Sequence, residues 1–156
     1  MRKFRTDKRL ERIVKTIQSR QPTLKVVMEN IHDPHNVSAI FRTCDAVGVP
    51  LVSLIYTDQE FPKISKKSSA SAFKWVGKEK YRSVDECYTS LRKDGFIIIA
   101  SSLTKDAKSL YEIDFTKKIA VVLGNEHDGV SDEAATAADD IYYIPMMGMV
   151  QSLNVS

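Results

Sequence analysis

The stretch "ENIHDPHNVSAIFRTCDAVGV", residues 29–49, holds a strand end, a capped turn and a helix in immediate succession. Asp33 has the side chain of an N-cap. Pro34 follows at the first helical position, where a missing N–H costs nothing, and Gly48 stands where a left-handed residue closes a helix. Val37, Ile40, Phe41, Cys44 and Val47 form one apolar stripe at about 100° per residue. Arg42 points away from that stripe, and Asn36 flanks it near the helix start. Packing therefore calls for neither residue. The plain alternative is that Asn36 is an ordinary first-turn polar residue and Arg42 an ordinary exposed arginine.

Working outward, "DKRLERIVKTIQSRQP" (7–22) predicts a basic helix with Leu10, Ile13, Val14 and Ile17 at helical spacing, ended by Pro22. "TLKVVMEN" (23–30) and "LVSLIYT" (51–57) read as strands. The polar stretch 58–82 reads as a long loop, or a loop with a short helix near 68–73. "SVDECYTSLRKDG" predicts a helix opened by Ser83 or Asp85 and closed by Gly95. "FIIIAS" and "KIAVVLG" are short apolar runs of the kind buried on both faces of a parallel sheet. Ser131 caps a further helix in "DGVSDEAATAAD", and "DIYYIPM" is a last strand. Strands alternating with helices predict an α/β fold with a mainly parallel sheet flanked by helices.

At 156 residues and 43% hydrophobic content the chain fits one domain with a core. No apolar run reaches membrane-spanning length, and the N-terminus lacks a signal-peptide segment, which predicts a soluble cytoplasmic protein. Cys44 and Cys87 fit no metal-ligand spacing and read as buried thiols rather than a disulfide. The net charge of +3 conceals two basic blocks. Residues 1–20 carry eight Lys/Arg against two Asp/Glu, and residues 63–82 carry seven against one, while the remainder is acidic. Such asymmetry suits a polyanion, with a solvated basic helix and loop as the bland alternative.

Three stretches follow predicted strands, where ligand sites of open α/β sheets collect. The first is the opening one. Its His32, Asp33 and His35 do not make a metal site, because Asp33 is better used as a cap and no further ligands appear. The second is "VVLGNEHDGVS" (121–131), with Gly124 and Gly129 bracketing Asn125 and Glu126. It is not a phosphate-binding loop, since Val130 stands where Lys belongs, nor a dinucleotide Gly-x-Gly-x-x-Gly. The third is "YIPMMGMVQSLNVS" (143–156), where Pro145 and Gly148 break regular structure. Met146, Met147 and Met149 are expected to line an apolar pocket or interface.

In this order, "HNVSAIFRTCDAVG", "IAVVLGNEHDGVS" and "IPMMGMVQSLNVS" resemble the three motifs of the SPOUT class of RNA methyltransferases, in its SpoU branch of 2′-O-ribose methyltransferases. The likeness covers essentially the whole chain and is strongest toward tRNA-modifying members. It implies a basic N-terminal helical arm (1–22) before a methyltransferase domain (23–156). It implies a deep trefoil knot in the C-terminal part of the sheet, an exception to the rule against knots, and a homodimer that binds S-adenosyl-L-methionine. The implied reaction is methylation of the ribose 2′-OH of a D-loop guanosine, position 18 of tRNA. By the same resemblance Asn36, Arg42, Glu126, Ser152 and Asn154 are the catalytic set. Backbone around Leu123, Gly124, Ile144, Met149 and Leu153 would hold the cofactor. Arg5, Lys8, Arg9, Arg12, Lys66 and Lys67 would contact tRNA phosphates. Phe73, Trp75 and Tyr81, interleaved with lysines, suit base stacking, although core packing is favoured for Trp75. The resemblance assigns the arginine a general-base role, but its high pKa favours a charged clamp on the 2′-oxygen or its phosphate. It also implies a further helix after "SLNVS", which this sequence lacks. Methylation of ribosomal RNA and RNA binding without catalysis are the competing readings.

Overall fold

The computed structural model describes residues 6–57, 60–62, 72–150 and 152–155. Strand β1 (Leu24–Glu29) lies in the interior of a seven-stranded parallel sheet. On one side come β2 (Leu51–Ile55) and β3 (Gly77–Tyr81). On the other come β6 (Ile119–Leu123), β4 (Ile97–Ser101), β7 (Asp140–Tyr143) and β5 (Lys108–Ser109). Val26 pairs with Val52 on one flank and with Val121 on the other, so β1 is hydrogen-bonded along both edges.

Helix α2 (Pro34–Val47) covers one face, and α3 (Val84–Lys93) and α4 (Asp132–Ala137) cover the other. Alternating residues of β1 feed two cores. Val27 packs with Tyr88, Leu91, Ile98, Val122 and Ala134, whereas Met28 packs with Val37, Ile40, Phe41 and Leu54. Double-sided burial explains why these strands read as unbroken apolar runs. The predicted stripe of α2 is buried at Val37, Ile40, Phe41 and Cys44, while Val47 is half exposed. The predicted cap is present, with the His35 amide donating to Asp33 at 2.8 Å, and Gly48 takes the left-handed conformation at φ 86°. Ser83 opens α3 by accepting from the Glu86 amide, and Ser131 opens α4 by accepting from the Ala134 amide.

Two sequence expectations need correction. The segment "GKEKY" is a strand, β3, not loop. It is an edge strand whose charged residues blunt exposed pairing groups, so it lacks an apolar signature. The two-residue β5 and the 3₁₀ turn Leu110–Glu112 with its Ser109/Glu112 capping box were not predicted at all. A short helix near 68–73 falls largely outside the described residues, and the chain just beyond forms a single 3₁₀ turn, Ala72–Lys74. Of the three methionines expected to line an apolar pocket or interface, Met146 lines a cleft, and Met147 and Met149 are 99% and 100% exposed in the single chain.

The ends of the sheet differ. At the amino ends, nearly buried Lys25 is held by Glu79 at 3.4 Å and Asp94 at 3.5 Å and lies over the Phe96 ring. The carboxyl ends open onto loops.

Cys44 and Cys87 are both free, buried and in different cores, as expected of structural thiols. Burial pushes Cys44 up to about 11 and Cys87 up to about 12, so both stay protonated at neutral pH.

Candidate active site

β1 ends in Glu29 and runs straight into Asn30, and these two polar residues organise the loops around them. Glu29 is 3% exposed. One carboxylate oxygen accepts the Ser131 amide at 2.9 Å and the other accepts the Ser131 hydroxyl. Ser131 is also the cap of α4, so this carboxylate ties β1 to the start of the helix after β6. Next, Asn30 adopts φ 48°, a left-handed conformation that asparagine tolerates. Its amide donates to the Thr57 hydroxyl and its carbonyl oxygen accepts the Thr57 amide, both at 3.1 Å, joining the ends of β1 and β2.

The loop after β6 is thereby held at both ends. Leu123 pairs in register with Met28, and Ser131 is fixed by Glu29. Between them, Asn125 and Gly129 exchange two backbone hydrogen bonds of 3.0 and 3.1 Å. The Asn125 side chain accepts the amides of His127 and Asp128, each at 2.8 Å. Gly124 sits against this closed loop so tightly that a Cβ would lie 1.9 Å from the Gly129 carbonyl carbon. Only glycine fits there.

Glu126 projects from this loop to α2, where its Oε1 accepts a 2.6 Å hydrogen bond from the Asn36 amide. Asn36 is 9% exposed, so it is not a free surface residue. Tyr56 lies close by, its hydroxyl donating to the Ile31 carbonyl at 2.6 Å. Burial first, and the charge of Glu126 second, push that phenol well above its ordinary range. Arg42 is exposed and makes no hydrogen bond or ion pair with any described residue.

A cleft of about 860 Å³ opens at the carboxyl ends of β4, β6 and β7. Leu103, Leu123, Ile144 and Leu153 give it apolar surface, and Glu126, Ser152 and Asn154 converge on it. A few polar groups over an apolar lining suit a flat aromatic ring carrying polar substituents, and the volume lies in the usual range of small-molecule sites. Burial raises the Tyr142 phenol on this wall to about 12, so it remains a neutral hydroxyl.

The structure thus brings together residues from all three stretches: Asn36, Glu126, Ser152 and Asn154, with Leu123, Gly124, Ile144 and Leu153 on the same cleft. Arg42 and Met149 do not line it. Lys8, Arg9 and Arg12 line a separate groove beside α1 (Asp7–Gln18), and Arg5, Lys66 and Lys67 lie outside the described residues. Sequence reasoning missed Glu29, Ser131 as its partner, and Tyr56. Glu29 had a legible signal: a carboxylate ending a strand that is otherwise apolar must find donors when buried.

The helix after β1 leaves toward one face of the sheet and the helix after β6 toward the other, so the cleft borders a topological switch point. Fold and site together define an open parallel α/β protein with a cleft at the carboxyl ends of its strands. The sequence pattern of the SpoU rRNA Methylase family matches residues 23–156, and the chain belongs to that family. It is 45% identical over 152 residues to the tRNA (guanosine(18)-2′-O)-methyltransferase of Thermus thermophilus, covering 97% of this chain and 78% of that protein. It is 40% identical over 148 residues to the protein of the same name from Escherichia coli, covering 95% of this chain and 64% of that one. Among solved structures, a TrmH/SpoU tRNA modifying enzyme of A. aeolicus superposes with a TM-score of 0.87 at 40% identity, covering 96% of this chain and 76% of that one.

Proposed function

We propose that this chain is an S-adenosyl-L-methionine-dependent tRNA methyltransferase that modifies the ribose 2′-OH of guanosine 18 in the D-loop. The observation that carries the reading is the Asn36–Glu126 hydrogen bond beside the cleft. It joins the helix after β1 to the loop after β6, with Ser152 and Asn154 on the same cleft. The names of the Thermus and Escherichia relatives support the choice of tRNA and of guanosine 18.

The cleft residues fit the cofactor. Leu123, Ile144 and Leu153 with the backbone at Gly124 would hold its adenosine and methionine parts, and when bound it supplies an electrophilic methyl group. The protein's part is to place the 2′-oxygen in line and to favour the charge that develops there. Asn36 and Glu126 orient the nucleotide. A guanidinium is a planar fork of donors with no acceptor, so Arg42 acts as a charge-assisted hydrogen-bond donor to the 2′-oxygen or the neighbouring phosphate rather than as a base.

We place the working unit as a cytoplasmic homodimer whose C-terminal part is threaded into a trefoil knot. The exposed Met147, Met149 and Val150 support a covering partner surface, and the family resemblance supports the knot. In the dimer Arg42 faces substrate across or beside the interface. No described helix is long and apolar enough to cross a membrane.

The test is transfer of label from S-adenosylmethionine to an unmodified tRNA transcript, with the modified nucleotide mapped. Label at the 2′-oxygen of guanosine 18, abolished in Arg42→Ala, supports the assignment. Label confined to ribosomal RNA, or tRNA binding with no cofactor binding, refutes it.

A further inference from the structure

A second groove, of about 570 Å³, runs between α1 and the corner where α2 ends and β3 begins. Its lining includes Lys8, Arg9 and Arg12 from one side and Asp45 and Trp75 from the other. Trp75 was expected in the core, yet it is 44% exposed, whereas Phe73 stacks on Phe41 at 4.1 Å and Tyr81 is tied to Glu79 and Ser90. The aromatic residue that was expected to be buried is the one presented outward.

Its presentation is built. Arg20 donates to the Trp75 carbonyl at 3.0 Å, to the Asp45 carboxylate at 2.9 Å and to the Val49 carbonyl at 3.3 Å. One guanidinium therefore fixes the backbone of Trp75 against the end of α2. The same contact neutralises Asp45, leaving Lys8, Arg9 and Arg12 as unneutralised charges on the groove lining. Arg9, Arg12 and Thr16 recur at i, i+3 and i+7, so one face of α1 stands opposite the indole. An indole face beside a row of cations suits a nucleotide whose base stacks while its phosphates meet the charges.

We propose that this groove binds an unpaired nucleotide of the substrate RNA, with Trp75 as the stacking surface and Lys8, Arg9 and Arg12 as phosphate ligands. The inference rests on the tRNA methyltransferase reading and adds a contact distant from the cleft. A base in a duplex offers no free face, so the occupant is a looped-out or single-stranded nucleotide.

The chain contains one tryptophan, so intrinsic tryptophan fluorescence reports this groove alone. Unmodified tRNA transcript should quench it saturably, with S-adenosylmethionine present or absent. Trp75→Ala should weaken tRNA binding about five- to hundredfold, the range of one lost base stack, with the salt slope unchanged. Trp75→Phe should restore most of the affinity. Arg9→Gln should reduce the salt slope by about one. Binding of S-adenosylmethionine should be the same in all three variants. Unquenched fluorescence and unchanged affinity of Trp75→Ala, in a protein that still methylates tRNA, overturn the groove and leave the function standing. A protein that neither binds nor methylates tRNA overturns both. A Trp75→Ala protein that changes oligomeric state but keeps its tRNA affinity assigns the groove to a second copy of the chain and overturns the proposal.

Discussion

Replacing Gly124 with alanine puts one methyl group where the loop after β6 closes on itself. The added Cβ would lie 1.9 Å from the Gly129 carbonyl carbon, 2.0 Å from its oxygen and 2.1 Å from the Val130 nitrogen. All three are backbone atoms, so no side chain can swing aside, and the loop must open by more than about 1 Å to reach ordinary contact. The two Asn125–Gly129 hydrogen bonds, at 3.0 and 3.1 Å, do not survive that opening. Each contributes about 0.5–1.5 kcal/mol, giving a loss of about 1–3 kcal/mol. Glu126 moves with the loop, so its 2.6 Å contact with Asn36 is broken as well. Thermal unfolding and calorimetric titration with S-adenosylmethionine read the two consequences separately. Gly124→Ala should melt several degrees lower and bind the cofactor at least tenfold more weakly. A variant with unchanged melting temperature and affinity refutes the claim that the closed loop sets the cleft wall.

The same geometry sets further outcomes. Arg42→Lys keeps the charge but loses the planar fork, and its single-turnover rate should fall at least tenfold; a near-normal rate would sink the bidentate clamp. Glu29→Ala removes two charge-assisted hydrogen bonds to Ser131, so urea denaturation should show a loss of about 3 kcal/mol. In Ser131→Ala the Glu29–amide bond remains, and the loss should be smaller. Cys44 and Cys87 have folded pKa values raised above the ordinary 9.0, to about 11 and about 12. The unfolded chain therefore releases these protons first. Stability should be full below about pH 9 and fall above it, by at most about 1.4 kcal/mol per pH unit for each thiol. Urea denaturation at pH 8, 9 and 10 checks this, and a Cys44→Ala/Cys87→Ala protein should lose most of the fall between pH 9 and 10.

What could be read in the sequence was whatever leaves a one-dimensional mark. Asp33, Pro34 and Gly48 bound α2 because capping acts within a few residues, and the apolar runs of β1, β4 and β6 reflect burial on both faces. Strand β3 left no such mark, because an edge strand is stabilised by its neighbour β2 while its side chains, Lys78, Glu79 and Lys80 among them, remain polar. Trp75 was misplaced for a related reason. Its exposure is decided by Arg20, 55 positions away in sequence, which anchors the backbone and leaves the ring outside.

The site itself was legible only by resemblance. Nothing in the spacing of Asn36 and Glu126, 90 residues apart, says that their side chains touch. The contact exists because β1 and β6 are adjacent in space though not in sequence, so the two loops beyond them leave from the same end of the sheet. Glu29 then acts across that adjacency. By holding Ser131 it closes the far end of the second loop, and the distance from Asn36 to Glu126 becomes a property of the sheet rather than of either loop. That arrangement also accounts for the conduct of Arg42. A residue less than two helical turns beyond Asn36 on the same rigid helix is carried at a fixed offset from the Glu126 contact. It needs no partner in the single chain to be positioned, and on the proposed reading its guanidinium is left for the substrate.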